Sequence, residues 1–282
     1  MGYDDGYGRQ GPNQGMPQFQ FPPFTGWVKR LIIINFGVFL GMYVLKLISK
    51  PAVAWLVDTF AMVPPDWTGL PPIWQLITSG FMHSLRDPMH VAGNMLMLYF
   101  FGSMVQSVIG SRKFVTHYVL AMIAGAVVHL ILAPLMGWKA PVLGASGAVS
   151  GMVVAAAVLN PQATVIFIVV PVRLWILAAF SVAMDLFHFV EEIDTGIGTG
   201  IAHSVHLGGA LYGFVVAKKR WIDRDPMAII ERKRAVKAAT RRIGDDARMD
   251  ALMVKIGQEG IGSLTRSERA FMQKQSERKR QG

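Results

Sequence analysis

Six apolar runs alternate with polar or charged breaks along the chain, at about 28–48, 90–109, 114–136, 142–159, 164–187 and 201–217. A bilayer-crossing helix needs about 20 largely apolar residues. The first, second, third and fifth runs reach that length, and all six are expected to span. The fourth and sixth are shorter and rich in Gly and Ala, so they predict helices that pack closely against neighbours. Residues 49–89 form a long first loop carrying Trp55, Leu56, Phe60, Met62, Pro64-Pro65, Trp67, Pro71-Pro72 and Trp74. That much apolar and aromatic surface is expected to lie in the membrane interface or to pack on the bundle.

Charge refines this pattern. Only 16% of the residues are charged and 52% are hydrophobic, against about 25% charged in soluble domains. Lys29 and Arg30 precede the first run, Arg112 and Lys113 separate the second from the third, and Lys218, Lys219 and Arg220 follow the sixth. With six spans these clusters fall on one side. Glu191, Glu192 and Asp194 are expected in the fifth-to-sixth connection, on the other side. The arrangement predicts a multi-pass protein of the cell (inner) membrane with both termini cytoplasmic. From Lys218 onward the chain holds 18 of its 28 Lys and Arg but 9 of its 18 acids. A basic segment just beyond a span points to retention and attraction to anionic lipid, and no nucleic acid partner is expected. Residues 1–27 are polar and Gly-, Gln- and Pro-rich, and predict a disordered leader without a signal-peptide core. The remainder divides into a membrane domain at 28–217, a basic juxtamembrane helix or linker at 218–246 and a small helical domain at 247–282. The fold class is all-α polytopic membrane protein: a six-helix bundle with a soluble helical tail. There is no cysteine, which excludes disulfides and thiolate chemistry. No HExxH or similar spacing suggests a metal, and neither metal nor cofactor is expected.

Polar groups inside spans are costly and mark function. The second run opens with His90 and carries Asn94 one helical turn later. The fourth begins with Gly144-Ala145-Ser146-Gly147. The sixth carries His203 and His206, followed by Gly208-Gly209. Gly147 and Gly151, like Gly209 and Gly213, are four apart, and each pair gives a flat stripe for close backbone approach. If these stripes meet, Ser146 and His206 share a depth, and an imidazole is the usual base for a serine hydroxyl. His203 shares the face of His206 and is the alternative base. His117, His129 and His188 read as packing or helix-end residues, and Asp185 as interfacial.

These residues resemble the rhomboid intramembrane serine proteases. His90-Val91-Ala92-Gly93-Asn94 matches HxxxN, Gly144-Ala145-Ser146-Gly147 matches GxSG, and Val205-His206-Leu207-Gly208-Gly209 matches the histidine motif, in the family's order. Trp74-Gln75-Leu76-Ile77-Thr78-Ser79-Gly80-Phe81-Met82-His83 also agrees, and the tail resembles a short C-terminal domain of some bacterial members. The resemblance implies a Ser146–His206 dyad without an Asp, with Asn94, His90 and the backbone at Ser146 holding the oxyanion and Gly144 letting the loop approach the site. It implies substrates that are transmembrane segments of single-pass proteins, cut near the outer face of the lipid bilayer. A non-proteolytic rhomboid-like helix-binding protein is the alternative; such relatives typically lack the serine or the histidine. The sequence departs from the family at Gln75, where Arg is common, at Gln106, where Glu is common, and at Ser150, where some members place an aromatic against the catalytic histidine.

Overall fold

The computed structural model describes residues 22–64, 71–167, 170–196 and 200–281. The leader over 1–21, and Pro65 and Trp67 of the first loop, lie outside the described residues. The chain forms two compact units, Met1–Arg224 and Asp225–Gly282.

In the first unit, α1 (Gly26–Ile48) is followed by α2 (Lys50–Phe60) and the short α3 (Gln75–Thr78), which tightens into a 3-10 turn at Ser79–Phe81. Next come α4 (Pro88–Met97), a π-helical turn at Leu98–Gly102 and α5 (Ser103–Ile109), which together form one continuous helical stretch. Then α6 (Ser111–Met136), α7 (Ser146–Leu159), a two-stranded hairpin, α8 (Leu174–Thr195) and α9 (His203–Lys218) complete the bundle. Among the described residues, four helical segments are long and apolar enough to cross a membrane by length and composition: α1, Pro88–Ile109, α6 and α8. Their outward residues include Ile33, Leu40, Leu47, Phe180 and Phe187, all exposed. An apolar exterior of this extent suits lipid rather than water. The buried core runs through Val28, Leu31, Leu98, Phe114, Tyr118, Met152 and Leu174.

The hairpin corrects the fifth apolar run. Residues 164–173 are strands β1 (Thr164–Phe167) and β2 (Val170–Arg173), paired antiparallel with Thr164 opposite Arg173 and Ile166 opposite Pro171. The helix begins only at Leu174. The run is rich in β-branched residues and carries Pro171, which has no N–H for a helix interior. The helix also continues further than expected, so Glu191, Glu192 and Asp194 sit on its last turns rather than in a connection.

Side-chain hydrogen bonds hold the first loop and the start of α1. Gln75 is buried; its Oε1 accepts from Val63 N at 3.2 Å and its Nε2 donates to the Asp58 and Thr59 carbonyls. Thr78 Oγ1 donates to Phe60 O at 2.7 Å, and Trp74 Nε1 to Thr59 O. Gln106 Oε1 accepts from the N–H groups of Trp27 and Val28, two of the donors that a helix start leaves without an intrahelical acceptor. Both amides thus act through neutral hydrogen bonds at positions where the family often carries a charge.

In the second unit, α10 (Pro226–Glu259) is one unbroken helix across residue 246, and α11 (Arg266–Gln281) follows a short turn. Thr265 and Glu268 form a reciprocal capping box: Glu268 N donates to Thr265 Oγ1, and Thr265 N to Glu268 Oε2. The Thr265 backbone N–H, ahead of its hydroxyl and Lys255, holds the Glu268 carboxyl below its ordinary range. Lys255 pairs with Glu268 at 3.2 Å, and the Arg248 guanidinium lies 4.5 Å from the Phe271 ring centroid. These contacts tie α10 to α11.

Candidate active site

Helices α7 and α9 approach backbone to backbone. A Cβ built on Gly209 would lie 1.9 Å from Gly147 O, and one on Gly213 would lie 2.1 Å from Gly151 O. No side chain fits at those distances, so the two glycine pairs permit this crossing. The crossing fixes the relative depth of the two helices. Val205 Cγ1 would sit 2.6 Å from a Cβ on Gly147. The neighbours of Gly147 and Val205 are Ser146 and His206, so the serine at the head of α7 and the histidine in the first turns of α9 enter the same region.

Ser146 is the first residue of α7 and is half-buried. The N–H groups of a first helical turn have no intrahelical acceptor and carry the positive end of the helix dipole. The loop before it is held at three points. Met62 and Val142 exchange backbone hydrogen bonds, Gly144 N donates to Ser79 O at 3.0 Å, and Ala145 N reaches His83 Nε2 at 3.5 Å. Gly144 has φ +137°, which favours glycine. A Cβ there would lie 2.9 Å from the His90 ring and 3.7 Å from Ser146 Oγ. His90 and the nucleophile candidate therefore border one small space that a side chain at Gly144 would fill.

On α4, Asn94 is buried one turn below His90, and its Nδ2 donates to His90 O at 2.9 Å. One N–H of the amide is used in the helix and the second remains to donate. The His90 ring packs edge-on against His83, with centroids 5.2 Å apart. His83 is fully buried; burial, with His90 next, pushes its pKa down to about 4, so the ring is neutral at ordinary pH. A neutral ring has one nitrogen free to accept, as the Ala145 N–H requires. His83 thus supports, from the first loop, the segment that carries Ser146. The sequence signal for it was weak: a histidine seven residues before His90, outside any span.

The largest departure from the sequence reading lies at Asp185. Its Oδ1 is 2.8 Å from His203 Nδ1 and 2.9 Å from His206 Nδ1. The side chain is 15% exposed and sits on α8, facing α9 rather than the interface. An acidic partner for His206 is therefore present, where the resemblance implied none. Ser150 is a half-buried residue of α7, and the anchor of His206 comes from α8 instead. The signal for Asp185 was its carboxylate within an apolar helix, which is costly unless paired.

His203 is buried, and its ring stacks on His188 with centroids 5.2 Å apart. His117 and His129 tie α6 to α9, through Tyr212 Oη and Ser204 Oγ respectively, each at 2.7 Å. Asp185, His203 and His206 bring their ligating atoms within 4.8 Å of one another, a group able to hold a metal ion. Without an ion, the same geometry fixes the tautomer of His206. A carboxylate only accepts, so the Nδ1 of His206 carries the proton and its Nε2 lone pair is left to take another.

Comparison with known proteins shows the family. The Rhomboid domain model matches residues 71–221, from the first loop to the end of α9. The chain is 28% identical over 235 residues to RHOMBOID-like protein 12, mitochondrial, of Arabidopsis thaliana, covering 72% of this chain and 65% of that protein. It is 27% identical to Rhomboid protein 1, mitochondrial, of Saccharomyces cerevisiae, over 70% of this chain and 57% of that one. It is 28% identical to the Presenilin-associated rhomboid-like protein, mitochondrial, of Mus musculus, over 50% and 38% respectively. The chain thus spans about two fifths to two thirds of the length of these relatives. Their names are mitochondrial, whereas the tail alone had suggested bacterial members. With its matched segment covering the apolar helices that carry Ser146 and His206, the chain belongs to the rhomboid family of membrane proteins.

Proposed function

We propose that the chain is an intramembrane serine endopeptidase in which Ser146 is the nucleophile and His206 the base, and that Asp185 orients His206. The observation that carries this reading is the 2.9 Å contact between His206 Nδ1 and Asp185 Oδ1. A carboxylate on Nδ1 of a base directs Nε2 toward the nucleophile and stabilises the imidazolium that forms. Ser146 Oγ attacks the scissile carbonyl as His206 Nε2 takes its proton, and the same proton then passes to the leaving amine. The developing oxyanion is held by the first-turn N–H groups of α7, the second N–H of Asn94 and the His90 ring. Gly144 leaves the space in which that oxygen sits.

The expected depth of the site supports the substrate class. We place six spans in the bilayer, α7 and α9 being the shorter two. At about 1.5 Å per residue, the 14 residues of α7 reach roughly 21 Å, less than the ~30 Å hydrocarbon core. Ser146 then opens inside the outer leaflet, at a depth suited to the transmembrane segment of a single-pass protein. The basic clusters support a cell (inner) membrane with both termini cytoplasmic. The non-proteolytic alternative leaves the serine and histidine without a purpose.

Purified protein in detergent or liposomes is expected to cleave a model single-pass substrate, and Ser146→Ala or His206→Ala to abolish cleavage. Retained cleavage by Ser146→Ala, with the purified preparation free of other proteases, overturns the assignment.

A further inference from the structure

The proposed reaction needs one imidazole on Asp185, and the protein supplies two. His203 Nδ1 lies 2.8 Å from the same oxygen that His206 Nδ1 contacts at 2.9 Å. The two histidines are three apart on α9, so one helical turn brings both rings to a single carboxylate on α8. Against His203 lies the ring of His188, which packs it in place. The second imidazole is surplus to proton transfer, and the three side chains converge with their ligating atoms mutually within 4.8 Å.

We propose that Asp185, His203 and His206 form an inhibitory binding site for a divalent cation of the zinc type; this rests on the reading of His206 as the base. Two imidazole nitrogens and one carboxylate oxygen suit zinc and its later-first-row neighbours, while magnesium and calcium prefer all-oxygen sites. Three protein ligands with water in the fourth position make an ordinary tetrahedral zinc site. With bonds of about 2.0–2.1 Å, neighbouring ligand atoms in such a site are roughly 3.3 Å apart. The two Asp185–imidazole pairs reach that by opening about half an ångström from 2.8 and 2.9 Å, and the two imidazole nitrogens already lie within 4.8 Å of each other. The side chains are 5%, 16% and 15% exposed for His203, His206 and Asp185, so the group is mostly dry but not sealed.

The consequence for catalysis is a change of tautomer. A metal needs the Nδ1 lone pair, so the proton that Nδ1 donates to Asp185 moves to Nε2. That nitrogen then carries N–H and cannot accept the proton of Ser146. No proton is gained or lost by the neutral ring, and Asp185 stays ionised. The cation disables the base without touching the nucleophile.

Two measurements test this separately. Full-length Ser146→Ala protein in detergent, titrated with Co²⁺ as a spectroscopic substitute for Zn²⁺, is expected to develop the intense visible bands of a tetrahedral site at one ion per chain. Zn²⁺ should bleach them, and His203→Gln in the same background should weaken binding at least about tenfold. In the active protein, buffered Zn²⁺ is expected to inhibit cleavage and EDTA to restore it. His203→Gln should raise the half-inhibitory concentration at least about tenfold relative to that variant's own activity. His203→Asn replaces it if the Gln variant elutes aggregated. Absence of tetrahedral bands, or unchanged zinc sensitivity in a folded His203 variant, overturns the site, and binding without inhibition overturns its inhibitory role. Because the Co²⁺ titration uses an inactive variant, tetrahedral bands there, together with a wild type that cleaves nothing, would locate the failure in the proteolytic reading instead.

Discussion

At the scale of single residues, Asp185 changes the reading most. It is 18 residues from His203 and 21 from His206 in sequence, and on a different helix. No spacing rule links a carboxylate to a base across such a gap; only the packing of α8 on α9 does. Asp185→Asn keeps the shape and removes the charge. The amide also offers an N–H to Nδ1, which favours the wrong tautomer of His206. Turnover is expected to fall about 10²–10⁴-fold with KM little changed, by the logic that applies to an acid-oriented histidine base. A fall confined to KM, or none, would remove Asp185 from the orientation of His206. By contrast Ser146, His206, His90 and Asn94 stood out in the sequence because polar groups inside apolar runs are few. His83 did not, since its role depends on the fold of the loop it supports.

At the scale of elements, the helices were largely legible and the hairpin was not. Apolar length alone located α1, α6 and the α4–α5 stretch within a few residues. The run at 164–173 shows why length fails elsewhere: a short apolar stretch of Thr, Val, Ile and Phe has no period that distinguishes strand from buried helix. The glycine spacing had a physical meaning that the sequence could express only conditionally, because a flat stripe does not name its partner. The partner is now α9 on α7, carbonyl against glycine. Gly209→Ala places a methyl 1.9 Å from Gly147 O, inside any tolerable contact. Overpacking of this kind costs about 1–3 kcal/mol, and here it also drives apart the two helices that carry Ser146 and His206. Gly209→Ala is expected to lose most activity and to lower the unfolding temperature in detergent. Gly93→Ala, whose methyl meets nothing within 4 Å, is expected to leave the unfolding temperature unchanged or slightly higher. Equal behaviour of the two variants in thermal denaturation would contradict the close crossing.

At the scale of the whole molecule, charge placement is what supports the proposed orientation. Lys29 and Arg30, Arg112 and Lys113, and Lys218 to Arg220 all lie at ends of apolar helices, and the basic excess belongs to the segment after α9. A reporter fused after Gly282 is expected to score as cytoplasmic, and a signal from the opposite side would overturn the six-span topology. A change of composition from Lys218 onward is legible in the sequence, and the second compact unit begins at Asp225. The continuity of α10 is not legible, because its basic first half and mixed second half look like separate segments, and Gly244 and Gly257 lie inside the helix without ending it, at about 1 kcal/mol each relative to Ala.

The anchor of the base stands on the least buried of the four long apolar helices, α8. Most of that helix's surface is uncovered by the rest of the bundle, Phe180, Phe187 and Val190 included. Any membrane helix that wedges α8 outward to reach Ser146 also draws Asp185 away from His206.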